Sequence, residues 1–198
     1  MIDFIRGEIA ELTPAYVVID ANGVGYGLSI SVNTYSAIQG QKEVKLYVYE
    51  AIREDAYDLY GFLSKREREV FLMLITVNGI GANTARMILS EMTLDELCGV
   101  IAAGNDKMLK RIKGIGPKSA ARIIVELSDK FNELEFMGAG AVQNASSVNM
   151  EVVNEAVSAL TMLGFAAGPT HKVVNEIVKD NPDISVEQLI KRALTMIK

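Results

Sequence analysis

The sequence predicts an α+β chain of several domains: a small β-barrel, a helical region built on a repeated glycine turn, and a short helical tail. Three observations carry that expectation. Residues 1–63 alternate apolar and polar side chains at strand period between turn signals. An internal repeat of helix, Gly-Ile-Gly and helix occupies residues 74–127, and an uncharged small-residue segment at 137–149 separates the tail from the rest. With 198 residues there is room for two or three small domains, and 49% hydrophobic against 23% charged residues argues for packed cores rather than disorder.

Taken in order, residues 17–20 and the alternating run 24–32 flank Asn22-Gly23, a two-residue hairpin signal. Residues 44–52 alternate again, and 56–62 are rich in aromatics, with Arg53-Glu54-Asp55 between them as a hairpin tip. About five strands with a helical turn near 33–38 suggest an OB-fold over residues 1–63. The pattern changes at Ser64, which with Glu67 reads as a capping box before Val70, Phe71, Leu74 and Ile75; Thr93 with Glu96 repeats the signal. Helix is expected to about residue 134, broken at 79–81, 104 and 114–117, which gives a second domain over 64–136. Residues 137–149 read as a flexible linker. Helical patterns near 150–163, 170–179 and 186–197, the last opened by Ser185 and Gln188, give a three-helix module over 150–198.

Composition excludes several functions. One cysteine, Cys98, and one histidine, His171, rule out a disulfide framework and a Cys/His metal cluster, so neither a metal nor another cofactor is expected. His171 reads as a surface residue and Cys98 as a small core residue. The start of the sequence lacks a signal-peptide pattern and no 18-residue apolar run exists, so a reduced cytoplasmic setting is expected. The net charge of −5 opposes a nucleic-acid partner, but its distribution favours one. Residues 1–63 hold four basic against nine acidic side chains, whereas 104–122 hold Lys107, Lys110, Arg111, Lys113, Lys118 and Arg122 against Asp106 alone.

The repeat lies on that basic segment. Residues 78–92 and 113–127 align without gaps at an offset of 35: Gly79-Ile80-Gly81 with Gly114-Ile115-Gly116, Thr84 with Ser119, Ala85 with Ala120, Glu91 with Glu126. Upstream, Leu74 and Val77 match Leu109 and Ile112. Paired glycines allow positive φ and close backbone approach, so such a turn can press N–H groups against a phosphate. The following helix starts there and adds unpaired donors and its positive dipole end. The central isoleucine anchors the turn, and Thr84 or Ser119 offers a hydroxyl. Candidate DNA contacts are therefore Gly79, Ile80, Gly81, Asn83, Thr84, Gly114, Ile115, Gly116, Lys118, Ser119 and Arg122. Contacts of this kind position a backbone without reading bases. One copy alone is equally consistent with a tight turn; two aligned copies, the second rich in lysine and arginine, favour DNA. A dinucleotide fingerprint is excluded because no third glycine follows and a helix precedes. The Gly-Ile-Gly-Pro-Lys-Ser run is no phosphate-binding loop of an NTPase, because Ile112 and Pro117 occupy positions that need glycine.

These residues, in this order, closely resemble the RuvA family, Holliday-junction-binding subunits of a bacterial branch-migration complex. The likeness spans the chain: Ile9, Gly23-Val24-Gly25-Tyr26, the 53–56 tip with Leu59-Tyr60-Gly61-Phe62, both glycine turns, the linker and the tail. It implies an OB-fold domain, tandem helix-hairpin-helix motifs and a mobile, UBA-like third domain, in a four-fold tetramer or two tetramers face to face on an open junction. It implies that Glu54 and Asp55, which as bare sequence read as a solvated turn, form an acidic pin repelling phosphates at the crossover. It implies docking of the tail on a RuvB-type hexameric ATPase, with Leu163, Gly164 and Phe165 as candidate contacts, and a junction resolvase as a further partner. Leu160 and Val174 read rather as the tail's own core, and Phe165 as the more exposed candidate. One departure is that Ala82 and Asn83 stand where the family usually has proline and lysine, which removes a charge from the first turn. The expected role is a non-catalytic DNA scaffold in recombination and repair. A helix-hairpin-helix nuclease or glycosylase subunit and a generic duplex-DNA adaptor are the alternatives.

Overall fold

Alternating side chains produce five strands: β1 (Phe4–Thr13), β2 (Tyr16–Ala21), β3 (Val24–Ser29), β4 (Glu43–Ile52) and β5 (Tyr57–Phe62). In the computed structural model, which describes residues 1–138, 147–181 and 184–197, they close into a barrel in the order β1-β2-β3-β5-β4. Neighbours are antiparallel except β3 and β5, which pair in parallel through Leu28–Leu59 and Ser29–Tyr60. Ile5, Val17, Ile19, Leu28, Val44, Leu46, Val48 and Leu59 point inward, and Ile30 and Ile38 complete this core. The Asn22-Gly23 turn has the two positive φ values, 56° and 88°, that a tight two-residue hairpin requires. The strand expected to reach Val32 stops at Ser29. Ser31 instead caps helix α1 (Val32–Ile38), its Oγ accepting the Thr34 N–H at 3.0 Å.

The helical region continues as α2 (Lys65–Thr76), α3 (Ala82–Glu91), α4 (Leu94–Ala102), α5 (Asp106–Leu109) and α6 (Pro117–Gly138). The change of secondary structure near residue 63 is not a break in packing. On β5, Leu59 enters the barrel core, while Tyr60 and Phe62 join the helical core around Phe71, Leu74, Ile88, Leu97, Ile123 and Leu127. On β4, Tyr47, Tyr49 and Ala51 pack against that same core. Two strands are thus covered on both faces, and Met1–Glu135 forms one compact unit.

Polar ties reinforce the joint. The Asn33 amide donates to the Leu89 and Met92 carbonyls at 2.8 and 3.1 Å, satisfying groups at the end of α3. Arg86 donates to the Ala15 carbonyl at 2.9 Å, and Arg68 to those of Asp3 and Val48 at 2.8 and 3.1 Å.

Glu67 departs from its expected role. Ser64 Oγ accepts the Glu67 N–H at 3.0 Å, as a cap should, but the carboxylate reaches past Ser64 to the Leu63 N–H at 2.8 Å. Its other oxygen accepts from the buried Thr34 hydroxyl at 3.3 Å. Thr93 and Glu96 form the reciprocal box in full. Burial raises the Glu67 carboxyl above its ordinary value, opposed in part by the Leu63, Thr34 and Ser31 hydrogen bonds. The folded chain therefore keeps this proton to higher pH than the unfolded chain does. The stability it contributes is complete below about 4.5, the ordinary value, and is lost as pH rises through the raised folded value. Glu67→Gln is expected to flatten that part of the pH profile of the urea midpoint. An unchanged profile would assign the slope to another group.

The second unit, Phe136–Lys198, contains α7 (Ser147–Met162), α8 (Ala167–Asp180) and α9 (Val186–Met196) around Val153, Ala156, Val157, Leu160, Val174, Ile177, Leu189 and Ala193. The middle of the expected linker, residues 139–146, lies outside the described residues, and helix occupies its two ends. No helix among the described residues is long and apolar enough to cross a membrane.

Candidate nucleic-acid interface

Both copies of the repeat fold into the same hairpin. Gly79 and Gly114 each take φ 91°, a left-handed conformation that a branched side chain would strain. The Ile80 N–H bonds the Val77 carbonyl at 3.0 Å, and the Ile115 N–H bonds that of Ile112 at 3.1 Å. The Ala85 N–H returns to the Gly81 carbonyl and the Ala120 N–H to that of Gly116, both at 2.9 Å. Buried positions match pair by pair: Leu74 with Leu109, Val77 with Ile112, Ile80 with Ile115, Ala85 with Ala120, Ile88 with Ile123. Ile80 and Ile115 are buried and anchor the two turns in the core, as their place in the repeat predicts. The leading helix differs, with twelve residues in α2 and four in α5, where Gly104 at φ 63° interrupts the approach.

The second glycine of each turn has a different task from the first. Gly81 is extended, at φ −89° and ψ 172°, and a Cβ there or at Gly116 would meet no other atom of the chain within 4 Å. Of the conformational freedom that paired glycines allow, only the first glycine of each turn uses positive φ. Helices α1, α2, α4 and α9 begin on a serine or threonine whose oxygen accepts a first-turn N–H. Helix α3 begins on Gly81, with no side-chain cap, and Gly116 stands before Pro117 at the start of α6. No side-chain cap takes up the first-turn N–H groups of α3, as is also true of α5 and α8, and at Gly81 and Gly116 there is open space where a side chain would stand.

The two hairpins lie against each other. A Cβ at Gly79 would lie 3.5 Å from Ser119 Oγ, and the Arg122 guanidinium donates to Asn78 Oδ1 at 3.1 Å and to its carbonyl at 3.4 Å. Arg122, expected at the DNA, thus also ties the second copy to the first. Thr84 and Ser119 are half-buried in the first turns of α3 and α6. Lys118 is exposed, as are Lys107, Lys110, Arg111 and Lys113, with Lys110 paired to Asp106 within α5 and the residue after it. Asn83 is exposed and accepts a long bond, 3.5 Å, from the Tyr60 hydroxyl of β5. Asn33, Asn78 and Arg86, which set the hairpins on each other and on the barrel, were not foreseen.

The acidic tip is a four-residue loop, 53–56, joining β4 to β5, closed by the Arg53 N–H to the Ala56 carbonyl at 2.8 Å. Arg53 also pairs with Asp58 at 2.6 Å. Glu54 and Asp55 are exposed.

Comparison with known proteins agrees with this geometry. Residues 1–61 match the RuvA N-terminal domain, 71–129 a SAM-like helix-hairpin-helix tandem, and 151–196 the RuvA C-terminal domain. A Bacteroides thetaiotaomicron protein described as Holliday junction branch migration complex subunit RuvA is 59% identical over 98% of both chains. The chain belongs to the RuvA family. Proteins of the same description from Parabacteroides distasonis and Porphyromonas gingivalis are 50% and 43% identical over the whole of both chains. The expected multidomain α+β architecture is that of the family, whose N-terminal model here covers the five-stranded barrel.

In the RuvA C-terminal domain, Leu160 and Val174 are core residues, as expected. Phe165 is not the most exposed candidate. The Phe165 N–H bonds the Leu160 carbonyl at 3.2 Å and the Gly164 N–H that of Thr161 at 2.9 Å, with Gly164 at φ 97°. That Schellman ending folds the Phe165 ring back onto the core and leaves Met162 and Leu163 outside, 88% and 62% exposed.

Proposed function

We propose that this chain binds four-way DNA junctions without regard to sequence, holds them open and planar, and serves as the non-catalytic scaffold of branch migration in recombination and repair. Two hairpins of one geometry, packed together and each leading into a helix directly behind an open glycine, carry the reading. Gly81, Asn83, Thr84, Gly116, Lys118 and Ser119 surround those starts, and the first glycines with Ile80 and Ile115 hold the turns. Asn83 brings no charge, so the second hairpin makes the stronger phosphate contact. The names of the relatives support the junction as the substrate.

Glu54 and Asp55 face the crossover and repel phosphates there, which turns the strands into neighbouring arms. Four copies surround one junction, with a second tetramer able to close on the opposite face. A RuvB-type ATPase supplies the energy and docks on the C-terminal unit, where exposed Leu163 and Met162 are the apolar contacts. The setting is a bacterial cytoplasm, and a junction resolvase is a further partner of the assembled complex.

The test is a gel-shift titration of a four-way junction against linear duplex of matched sequence at two salt concentrations. A strong junction preference is expected, with log affinity falling by about 0.9 per neutralised phosphate for each decade of salt. Equal affinity for both DNAs would leave a generic duplex binder, and metal-dependent cleavage of the junction would mean a nuclease. Glu54→Gln with Asp55→Asn is expected to preserve or tighten junction binding while changing the rate of motor-driven branch migration. A loss of binding in that variant would mean that the carboxylates are contacts rather than repellers.

A further inference from the structure

We infer that Ile52 and Tyr57 form an apolar platform at the root of the acidic tip on which unpaired bases at the crossover stack, an inference that rests on the junction-binding reading. The two residues are the last cross-strand pair before the loop, so their side chains share a face. They are 71% and 57% exposed, large apolar groups standing in water beside two carboxylates. The tyrosine is fixed without being buried. Its hydroxyl donates to Glu50 Oε1 at 2.6 Å, while Glu50 Oε2 accepts the Ile2 N–H at 2.8 Å and lies 3.8 Å from the N-terminal amine. The Arg53–Asp58 ion pair bridges the same root across the loop. A ring held at its hydroxyl is biased toward one orientation before any ligand arrives, which lowers the ordering cost of stacking on it.

Charge selects the occupant. Glu54 and Asp55, within a few residues of the ring, oppose any approach by phosphate, but the face of a base carries no net charge and stacks on aromatic and aliphatic surfaces alike. Bases without partners arise where strands separate, which is the position proposed for this tip. Tyr57 supplies a stacking face and Ile52 an apolar edge of the type that props base steps apart.

The experiment places 5-iodouracil either at the crossover of a four-way junction or within an arm, irradiates the complex with the full-length chain, and maps crosslinks by mass spectrometry. Crosslinking to Tyr57 from the crossover position alone is expected. Tyr57→Phe keeps it, and Tyr57→Ala loses it, weakening junction binding roughly fivefold or more while duplex binding is unchanged. Crosslinks confined to the hairpins, with junction preference intact, overturn the platform and leave the junction reading standing. Absence of any junction preference in the same titrations overturns the reading beneath it. If the wild-type chain gives no Tyr57 crosslink and Tyr57→Ala or Ile52→Ser alters its sedimentation, the pair is a contact between copies and the platform is overturned.

Discussion

Gly116→Val, made together with Gly114→Val, is expected to lower junction affinity at least about a hundredfold, equivalent to roughly 2.7 kcal/mol. The two substitutions act differently. Valine at Gly114 must adopt φ 91°, which a β-branched residue resists, so the turn moves and carries Ile115 out of its buried site. A Cβ at Gly116 has open space and the position does not take a left-handed φ, so the protein is expected to fold normally with valine there. On the proposed function, the valine side chain would stand where a phosphate oxygen approaches the N–H groups of Lys118 and Ser119. Hydrogen bonds to a charged group contribute about 1.5–3 kcal/mol each, so losing one or two accounts for the expected effect. Gly116→Val alone thus separates binding from stability. Its melting temperature should match the parent while junction affinity falls at least about tenfold. Full affinity in the double variant would mean that the turns serve only to connect helices.

The turns were legible because two copies must build the same geometry, and the repeat displays that requirement twice. The deviations between copies were equally informative and harder to read. Arg86 stands opposite Ala121, and Arg122 opposite Met87, at the 35-residue offset. Each unmatched arginine binds something outside its own hairpin: Arg86 the barrel carbonyl of Ala15, Arg122 the Asn78 of the other copy. Local pattern cannot name partners 71 and 44 residues away. The barrel was visible in its alternation for the same reason that its second face was not. Period two marks Leu46, Val48 and Leu59 as inward, but Tyr49, Tyr60 and Phe62 on the outward face are covered only because helices arrive later in the chain. Glu67 shows how a satisfied local rule can conceal a tertiary role. Spacing from Ser64 accounts for its N–H, whereas its carboxylate answers to Leu63 and Thr34. Phe165 was misjudged because its exposure depends on how the chain leaves α7, and Gly164 turns it inward.

Phe71→Ala should cost about 3–5 kcal/mol, the range for removing a fully buried aromatic ring. The ring of Phe71, on α2, lies 4.8 Å from that of Phe62 and 5.4 Å from those of Tyr49 and Tyr60 on the barrel, centroid to centroid. Its removal therefore opens a cavity where the barrel and the hairpin region meet. A melting temperature lower by roughly 10 °C or more is expected. The chain offers a convenient readout, since it has no tryptophan and all seven tyrosines lie in the first 60 residues. Tyrosine fluorescence follows the barrel, and far-ultraviolet circular dichroism is dominated by the helices. With a shared core both signals should move down together in the variant, the circular dichroism keeping a separate contribution from the C-terminal unit. If the helical signal fell while the tyrosine signal stayed at its original midpoint, the barrel would be an independent folding unit. That result would matter for function, because the acidic tip grows from β4 and β5 and the hairpins from the helices packed on them. On the proposed function, a joint core would fix where phosphates are held relative to where they are repelled, and a junction could be held open only if those two places do not drift apart.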